Sequence, residues 1–292
     1  MDERIPRRLD KFLADSRIGS RVHIESLAAC DAIAFNGQPE SDLRRLVDPT
    51  SDVIEVDGQP AQLSPPRIHA LLHKPAGVVT TMADPQGRPC IADLVPADWL
   101  GRVGVVGRLD KPTTGALLIT DDGDLSHLLT DPAFHVWKRY VLTLVGDIEA
   151  ADPRLEQLRA GVMLGDTLTA PARCGLVPDS GRDGKGGKRL TDAWIEVREG
   201  RFRQVRRMAN TVGFRVARLH RVAIGPLLLG DLEQGRWRAL QSAEVDGLYE
   251  AAGGRDAPTR GARKALIRRL EAGELSVPDV DRVRRYLREF ET

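Results

Sequence analysis

Residues 101–123 constrain the fold of this chain most strongly, because they place a charged turn between two apolar stretches of β character. Residues 103–106 and 116–120 are rich in aliphatic and β-branched side chains and are bounded by Gly, Pro and Asp, which is the pattern of buried strands. The turn between them contains Asp110. An aspartate in such a place often only caps or turns the chain. Here we expect Asp110 to project from a sheet into a cleft.

The neighbours of Asp110 favour a chemical role for this carboxylate. Gly107 permits close backbone approach, Arg108 can reach a phosphate, and residues 112–115 form a stiff corner that can donate and accept hydrogen bonds. The stretch GRLDKPTTGALLITDDG resembles the signature of bacterial ribosomal RNA pseudouridine synthases of the RsuA-like family. In that family the Asp of GRLD is catalytic, so the resemblance implies that Asp110 is the catalytic residue.

Composition places the chain among ordinary globular proteins. Its 292 residues, 41% hydrophobic and 29% charged, suffice for more than one domain core. No apolar run approaches the roughly 18 residues of a membrane span, and the first residues lack the pattern of a signal peptide. We therefore expect a cytoplasmic protein without a membrane partner. Cys30, Cys90 and Cys174 are too few and too far apart for a disulfide framework or a CxxC metal site, so each is expected in a core.

Positive charge is concentrated in one segment, although the net charge of the chain is only +1. Residues 198–221 contain eight arginines and one acidic residue, Glu199. Such a local excess is the electrostatic signature of a surface that binds an anionic polymer such as RNA.

Residues 1–61 form a candidate small domain. Leu9, Phe12 and Leu13 have helical spacing, and the Asn36-Gly37 dipeptide is typical of a hairpin turn. The segment resembles the S4 (αL-type) RNA-binding domain, but it is net acidic and has Ala-Cys-Asp at residues 29–31, where that family usually has a basic residue and a Gly. The RNA contacts expected to remain are those of five basic residues: Arg7, Arg8, Lys11, Arg17 and Arg21. Residues 62–67 contain Pro65-Pro66 and are predicted to be a linker.

The resemblance implies that residues 68–250 form the catalytic domain, an α+β fold with a mixed, mainly antiparallel sheet. The resemblance assigns Lys138 and Tyr140 to a K-x-Y motif whose Tyr stacks on the target base. EGRFRQVRRM resembles a motif whose basic residue pairs with the catalytic Asp; Arg206 is the first choice for this role and Arg207 the second. Arg203 is also expected to contact the RNA. The resemblance places Leu219 beside the base, although without it this residue would be assigned to the core.

Other segments have simpler interpretations. Lys74 follows a predicted strand and is expected either in a solvated turn or against RNA. Residues 121–124 are acidic but are more typical of a helix N-terminus than of a metal site. Residues 179–189 are Gly-rich without a Walker A sequence and predict a basic hairpin loop. Residues 251–292 predict a basic helical extension.

The implied chemistry suits these residue types. Pseudouridine formation breaks the N1–C1′ bond, turns the uracil over and joins C5 to C1′, which requires no cofactor, and no metal is expected. Asp110 could act as nucleophile or as a base at C2′. The uridine must leave its stack, and Tyr140 can receive the base while Arg108 fills its place. A non-catalytic RNA-binding protein and a carboxylate hydrolase remain alternatives.

The target RNA is the next question. TTG after GRLD and the continuation DDGDLSHLLTDP look closer to the family member that modifies small-subunit 16S rRNA than to the large-subunit enzymes. We therefore predict a monomeric enzyme with 16S rRNA as its partner, with 23S rRNA as the alternative.

Asp110→Asn tests the predicted catalytic role. The substitution keeps the size of the side chain and most of its hydrogen bonds but removes its charge and nucleophilicity. We expect turnover to vanish in a tritium-release assay on uridine-labelled RNA, while RNA binding persists. Activity within about tenfold of wild type, which is only about 1.4 kcal/mol in barrier, would contradict the role.

Overall fold

The computed structural model describes residues 6–18, 21–63, 66–184 and 186–255, with only the backbone of Arg21 and Val22. The chain divides into two compact units, Met1–Arg67 and Ile68–Thr292. The helical extension predicted for residues 251–292 lies outside the described residues beyond Arg255. Within the described ranges no helix is long and apolar enough to cross a membrane.

The first unit combines two short helices with short strands. In chain order its elements are β1 (Arg7–Arg8), α1 (Leu9–Asp15), α2 (Arg21–Ala29), β2 (Ile33–Phe35), β3 (Gln38–Pro39), β4 (Leu46–Val47), β5 (Ile54–Val56) and β6 (Gln59–Pro60). The Asn-Gly turn joins β2 to β3, and β2 also pairs with β5, which gives the sheet order β3-β2-β5-β6. Leu9, Phe12 and Leu13 are buried as predicted. Cys30 is exposed rather than in the core, because it lies in the turn where α2 has ended.

The second unit holds most of the regular structure. In chain order its elements are β7 (His69–Lys74), β8 (Gly104–Val106), β9 (Thr114–Thr120), α3 (Gly123–Thr130), β10 (Lys138–Val145), α4 (Pro153–Ala160), β11 (Met163–Leu164), β12 (Thr167–Leu168), β13 (Arg173–Leu176), β14 (Arg182–Asp183), β15 (Arg189–Val197), α5 (Gln204–Thr211), β16 (Val216–Ile224), β17 (Leu227–Leu228), β18 (Trp237–Ala239) and α6 (Ser242–Ala251).

One large sheet organises this unit. Its strand order is β13-β15-β10-β16-β9-β7-β18, with β14 on β15, β17 on β16 and β8 on β9. The pairing of β9 with β16 is parallel, while the other pairs of this sheet in the described residues are antiparallel. The predicted mixed, mainly antiparallel sheet is therefore confirmed.

Helices and loops cover the sheet with separate apolar cores. Alternate residues of β9 face opposite sides: Leu118 packs with side chains of α3 and α6, whereas Leu117 packs with Ile91 and Val103. A third core joins β10 and β15 to α4 and α5. Different apolar cores thus cover the half of the sheet that contains β9 and the half that contains β10 and β15. The strands where the two halves meet can line a cleft.

The acidic stretch after β9 is structural. Asp122 accepts a hydrogen bond from the backbone N–H of Leu125 at 3.2 Å, which caps α3 as predicted, and from the Tyr249 hydroxyl at 2.6 Å. No group of three or more His, Cys, Asp or Glu side chains in the described ranges could hold a metal ion.

Gly115 permits the parallel pairing of β9 with β16. Its φ is +114°, and a Cβ at this position would lie 2.1 Å from the carbonyl oxygen of Arg221. The two backbones can approach this closely only if residue 115 has no side chain. The contact between β9 and β16 therefore explains the glycine of the TTG sequence after Asp110.

We expect Gly115→Ala to destabilise the second unit. The new methyl group forces the strands apart and occupies a backbone conformation that disfavours side chains, at a cost of roughly 2 kcal/mol or more. Gly104→Ala is the matched control, since a Cβ on this strand glycine meets nothing within 4 Å. Thermal unfolding monitored by circular dichroism measures both variants. Equal melting temperatures for the two would contradict the strand contact.

Candidate active site

A cavity of about 170 Å³ opens in the second unit where β8, β10, β15 and β16 meet the loop before α5. It brings together six residues that the sequence predicted to act on the substrate, from four separate segments. These are Arg108, Asp110, Lys138, Tyr140, Arg203 and Leu219. Arg206 and Arg207 do not line it, and Arg17 and Arg21 belong to the other unit. The structure thus assembles most of the predicted site, without testing the individual roles.

The Asp110 loop is fixed by its backbone. The Thr80 hydroxyl donates to the carbonyl of Leu109 at 2.6 Å, and the N–H of Gly77 donates to the carbonyl of Lys111 at 2.8 Å. Thr113 N–H donates to the carbonyl of Asp110 at 2.9 Å and closes the turn. The Asp110 side chain keeps 21% of its surface exposed, so solvent and substrate can reach the carboxylate.

Lys74 lies inside this loop. It is fully buried, and its Nζ donates to the carbonyl oxygens of Pro75 and Thr113 at 2.9 Å each and of Asp110 and Lys111 at 3.3 Å each. The expectation that Lys74 is solvated or contacts RNA was wrong, because four carbonyls replace water around its ammonium group. Burial lowers the pKa of Lys74 to about 8, and the charge of Asp110 opposes this shift.

A signal for this burial was present in the sequence. Ala70 and Leu72 alternate with Lys74 along β7 and are both buried, so the period-two pattern placed Lys74 on an inward face. Because lysine is charged, this pattern was not interpreted as a sign that Lys74 is buried.

Two arginines of the EGRFRQVRRM segment are near Asp110. Arg203 Nε lies 3.8 Å from Asp110 Oδ1, but its side chain is 56% exposed, so solvent screens the pair. Arg206 is partly buried, and its Nη1 donates to the carbonyl of Val216 at 3.4 Å. Burial lowers the pKa of Arg206, the charge of Asp110 raises it, and Arg203 lowers it. The ion pair present is therefore that of Arg203, and the pairing role of Arg206 stays a prediction.

Glu199 and Gln204 fix the chain that carries these arginines. Gln204 is buried; its Nε2 donates to Glu199 Oε1 at 2.6 Å, and its Oε1 accepts from the N–H of Arg201 at 2.9 Å. The guanidinium of Arg201 pairs with Glu199 Oε2 at 3.1 Å and donates to the carbonyl of Leu168 at 3.0 Å. Arg201 is thus engaged within the protein.

The arginine-rich segment 198–221 is consequently not one phosphate-binding surface. Arg201 is held by Glu199, and Arg221 is buried, whereas Arg207, Arg215 and Arg218 are exposed. The prediction that this segment is an RNA-binding surface was wrong for Arg201 and Arg221, because the number of arginines in a segment does not show which of them point inward.

The Gly-rich stretch also differs from a phosphate loop. β14 pairs with the start of β15 as a hairpin, and the guanidinium groups of Arg182 and Arg189 are paired with Asp192 and Asp183 at 2.7 and 3.1 Å. Lys185 lies outside the described residues.

Lys138, Tyr140 and Arg221 form the floor of the cavity. Tyr140 on β10 lies opposite Arg221 on β16, whose Cζ is 6.0 Å from the Tyr140 ring centroid. Arg221 is 4% exposed, and its Nε donates to the carbonyl of Ala116 at 2.7 Å. Burial lowers the pKa of Lys138 to about 8, and the positive charge of Arg221 contributes to the shift. Leu219 is buried in the core that Tyr140 packs against.

Sequence reasoning did not single out Arg221. It counted this arginine only as part of the basic segment. The alternation with buried Leu219 along β16 was the available signal for an inward position.

Comparison with known proteins relates this chain to one family. Residues 68–211 match the family model of RNA pseudouridylate synthases. A protein named as an uncharacterized RNA pseudouridine synthase from Mycobacterium tuberculosis is 38% identical over 256 residues, 86% of this chain and 97% of that protein. The ribosomal large subunit pseudouridine synthase B of Pseudomonas aeruginosa is 37% identical over 254 residues, 84% of this chain and 62% of that protein. A crystal structure of a pseudouridylate synthase superposes with a TM-score of 0.54 at 29% identity, over 83% of this chain and 99% of that chain.

We expect turnover to fall as pH rises through about 8, because Lys138 loses its proton there. The pKa of Lys74 is also lowered to about 8, so loss of its proton contributes to the same decline. Lys138→Arg separates the two contributions, since an arginine at position 138 stays charged throughout. In pH–rate profiles the alkaline decline should be smaller in Lys138→Arg than in wild type. An equal decline in both proteins would show that Lys138 does not contribute.

Proposed function

Because the chain belongs to the RNA pseudouridylate synthase family, we propose that it isomerises a specific uridine of ribosomal RNA to pseudouridine at Asp110. The observation that carries this proposal is the cavity itself, where an accessible carboxylate on a fixed loop stands with an aromatic ring and cations. A non-catalytic RNA-binding protein has no need of this arrangement. A carboxylate hydrolase would need a second catalytic carboxylate, and the other acidic residue that lines the cavity, Glu199, is held by Gln204 and Arg201.

In the proposed reaction the N1–C1′ bond breaks and its electron pair leaves with N1. Asp110 either bonds to C1′ as nucleophile or takes the proton from C2′ to give a glycal. After the uracil turns over, C5 bonds to C1′; on the nucleophilic route the Asp110–C1′ bond breaks in this step, and on the glycal route C2′ takes back its proton from Asp110. The proton on C5 is then lost and N1 gains one, so the reaction is a net isomerisation without a redox step or cofactor.

The cavity suits a base that has left its stack. The Tyr140 ring offers a face for the uracil, and Leu219 supports that ring from the core. Arg108 is exposed beside the cavity, where its side chain can occupy the space that the flipped uridine vacates. Arg203 and Arg206 lie on the Asp110 side and are proposed to keep the carboxylate ionised, with Arg207 toward the RNA backbone.

The first unit is proposed to be an S4-like RNA-binding domain. Its helix pair and the strands after the Asn-Gly turn support this assignment. Arg17, which is exposed after α1, and Arg21, at the start of α2, are proposed RNA contacts. We further propose that the enzyme acts as a monomer in the cytoplasm, where ribosomal RNA is modified.

Large-subunit RNA is the favoured target. The similarity to the large-subunit synthase B of Pseudomonas aeruginosa extends over 84% of this chain, whereas the small-subunit prediction rests on one short stretch after Asp110. The 16S target stays the second candidate on the strength of that stretch.

Pseudouridine mapping of both ribosomal RNAs in a deletion strain tests the proposal. We expect one position in 23S rRNA to lose its pseudouridine and to regain it when the wild-type gene, but not Asp110→Asn, is restored. Loss of a 16S position with 23S intact would show that the second candidate is right. Unchanged maps of both RNAs would contradict the ribosomal target.

A further inference from the structure

Arg221 carries more hydrogen-bonding capacity than the protein uses. Its Nε is tied to the carbonyl of Ala116, but its buried Nη2 has no hydrogen-bond partner among the described residues. A buried unsatisfied donor costs about 1–3 kcal/mol, and such groups in native structures call for an explanation. Arg221 lines the cavity, so a molecule bound there lies beside this guanidinium.

Among the residues that the structure describes, this guanidinium has no counter-ion. Lys138, the other cation on the cavity floor, is close enough to Arg221 for the two charges to repel. Two acidic side chains line the same cavity. Glu199 is engaged by Gln204 and Arg201, and the arginine paired with Asp110 is Arg203. Two partly or fully buried cations thus face the cavity without a matching carboxylate.

A purely structural role explains only part of this arrangement. A hydrogen bond to the Ala116 carbonyl requires one donor and no charge. The fold instead brings β9 and β16 so close at Gly115 that the pairing excludes any side chain there. This contact positions the backbone of Arg221 opposite Tyr140, with the guanidinium 6.0 Å from the ring on which the base is proposed to stack.

We propose that Arg221, together with Lys138, stabilises the uracil ring as the anion that forms when the N1–C1′ bond breaks. This inference rests on the proposed function. The electron pair of the broken bond leaves with N1 and is delocalised onto the ring carbonyl oxygens. Arg221 Nη2–H donates a hydrogen bond to one of these oxygens, and the two positive charges lower the energy of the developing negative charge.

The same pair serves the second half of the reaction. The detached uracil anion must turn over before C5 attacks C1′, so it must be held without a covalent bond. Attraction between the anion and two fixed cations retains it beside the Tyr140 ring while it changes orientation. Asp110 supplies the nucleophile or base on the opposite side, where Arg203 balances its charge.

The test compares Arg221→Gln with Arg221→Lys. The glutamine amide can still donate to the Ala116 carbonyl but has no charge, whereas lysine keeps the charge. Single-turnover rates at saturating enzyme are measured on transcripts of 16S and 23S rRNA, made with uridine or with 5-fluorouridine. Loss of the original nucleoside is followed by digestion and mass spectrometry. Arg139→Gln is the matched control, since Arg139 pairs with Glu196 and does not line the cavity.

We expect Arg221→Gln to lower the single-turnover rate on uridine about 100-fold, as for loss of one hydrogen-bond donor to the transition state. Arg221→Lys should lower this rate distinctly less. Fluorine at C5 withdraws electrons and stabilises the detached anion, so the loss in Arg221→Gln should be at least tenfold smaller on 5-fluorouridine. Arg139→Gln should match wild type on both RNAs.

Three outcomes would overturn the inference while leaving the proposed function intact. Equal losses for Arg221→Gln and Arg221→Lys, or equal losses on the two nucleosides, would show a structural role. An unchanged single-turnover rate with weaker RNA binding and a salt dependence smaller by about one counterion would assign Nη2 to a phosphate. A wild-type enzyme that forms no pseudouridine in either rRNA would instead contradict the proposed function and, with it, this inference.

Discussion

The buried ammonium group of Lys74 is the contact on which the rest of the site depends. It gathers carbonyl oxygens of Pro75, Asp110, Lys111 and Thr113 around one charge and so gives a loop without regular structure a fixed shape. Burying a lysine is expensive unless its charge is compensated. Here the compensation comes from backbone dipoles and from the nearby charge of Asp110, which itself remains accessible. The hydrogen bonds of the Lys74 ammonium group therefore fix the position of the loop that carries the Asp110 carboxylate.

Charge is distributed unevenly across the cavity. Asp110 and Arg203 are paired, while Lys138 and Arg221 form the floor together with Tyr140. In the reaction proposed above, the bound uridine is neutral but separates into an electrophilic sugar and an anionic base, and each of these would meet a group of opposite charge. Because these groups are fixed by sheet pairing and by backbone hydrogen bonds, little reorganisation is needed when the charges develop.

The sequence predicted local features well and long-range ones poorly. The helix at Asp122 and the Asn-Gly turn followed from capping residues and turn chemistry, which act over a few residues, whereas the mixed sheet was expected from the family resemblance. The placement of Asp110, Lys138 and Tyr140 in one cavity followed from family resemblance, not from spacing. The burial of Lys74 and Arg221 was missed because each depends on carbonyl groups from distant strands. Exposure of Cys30 was missed because the end of α2 could not be fixed to within one residue.

The parallel contact between β9 and β16 has a consequence for how the enzyme comes into being. Gly115 and Arg221 are roughly a hundred residues apart in the sequence, and β10, α4, β15 and α5 lie between them. Contacts of such high sequence separation form slowly, since loop-closure entropy opposes them. A nascent chain that still lacks β16 has Asp110 but neither Leu219 nor Arg221. The cavity around this carboxylate is therefore complete only once β16 has been added to the sheet.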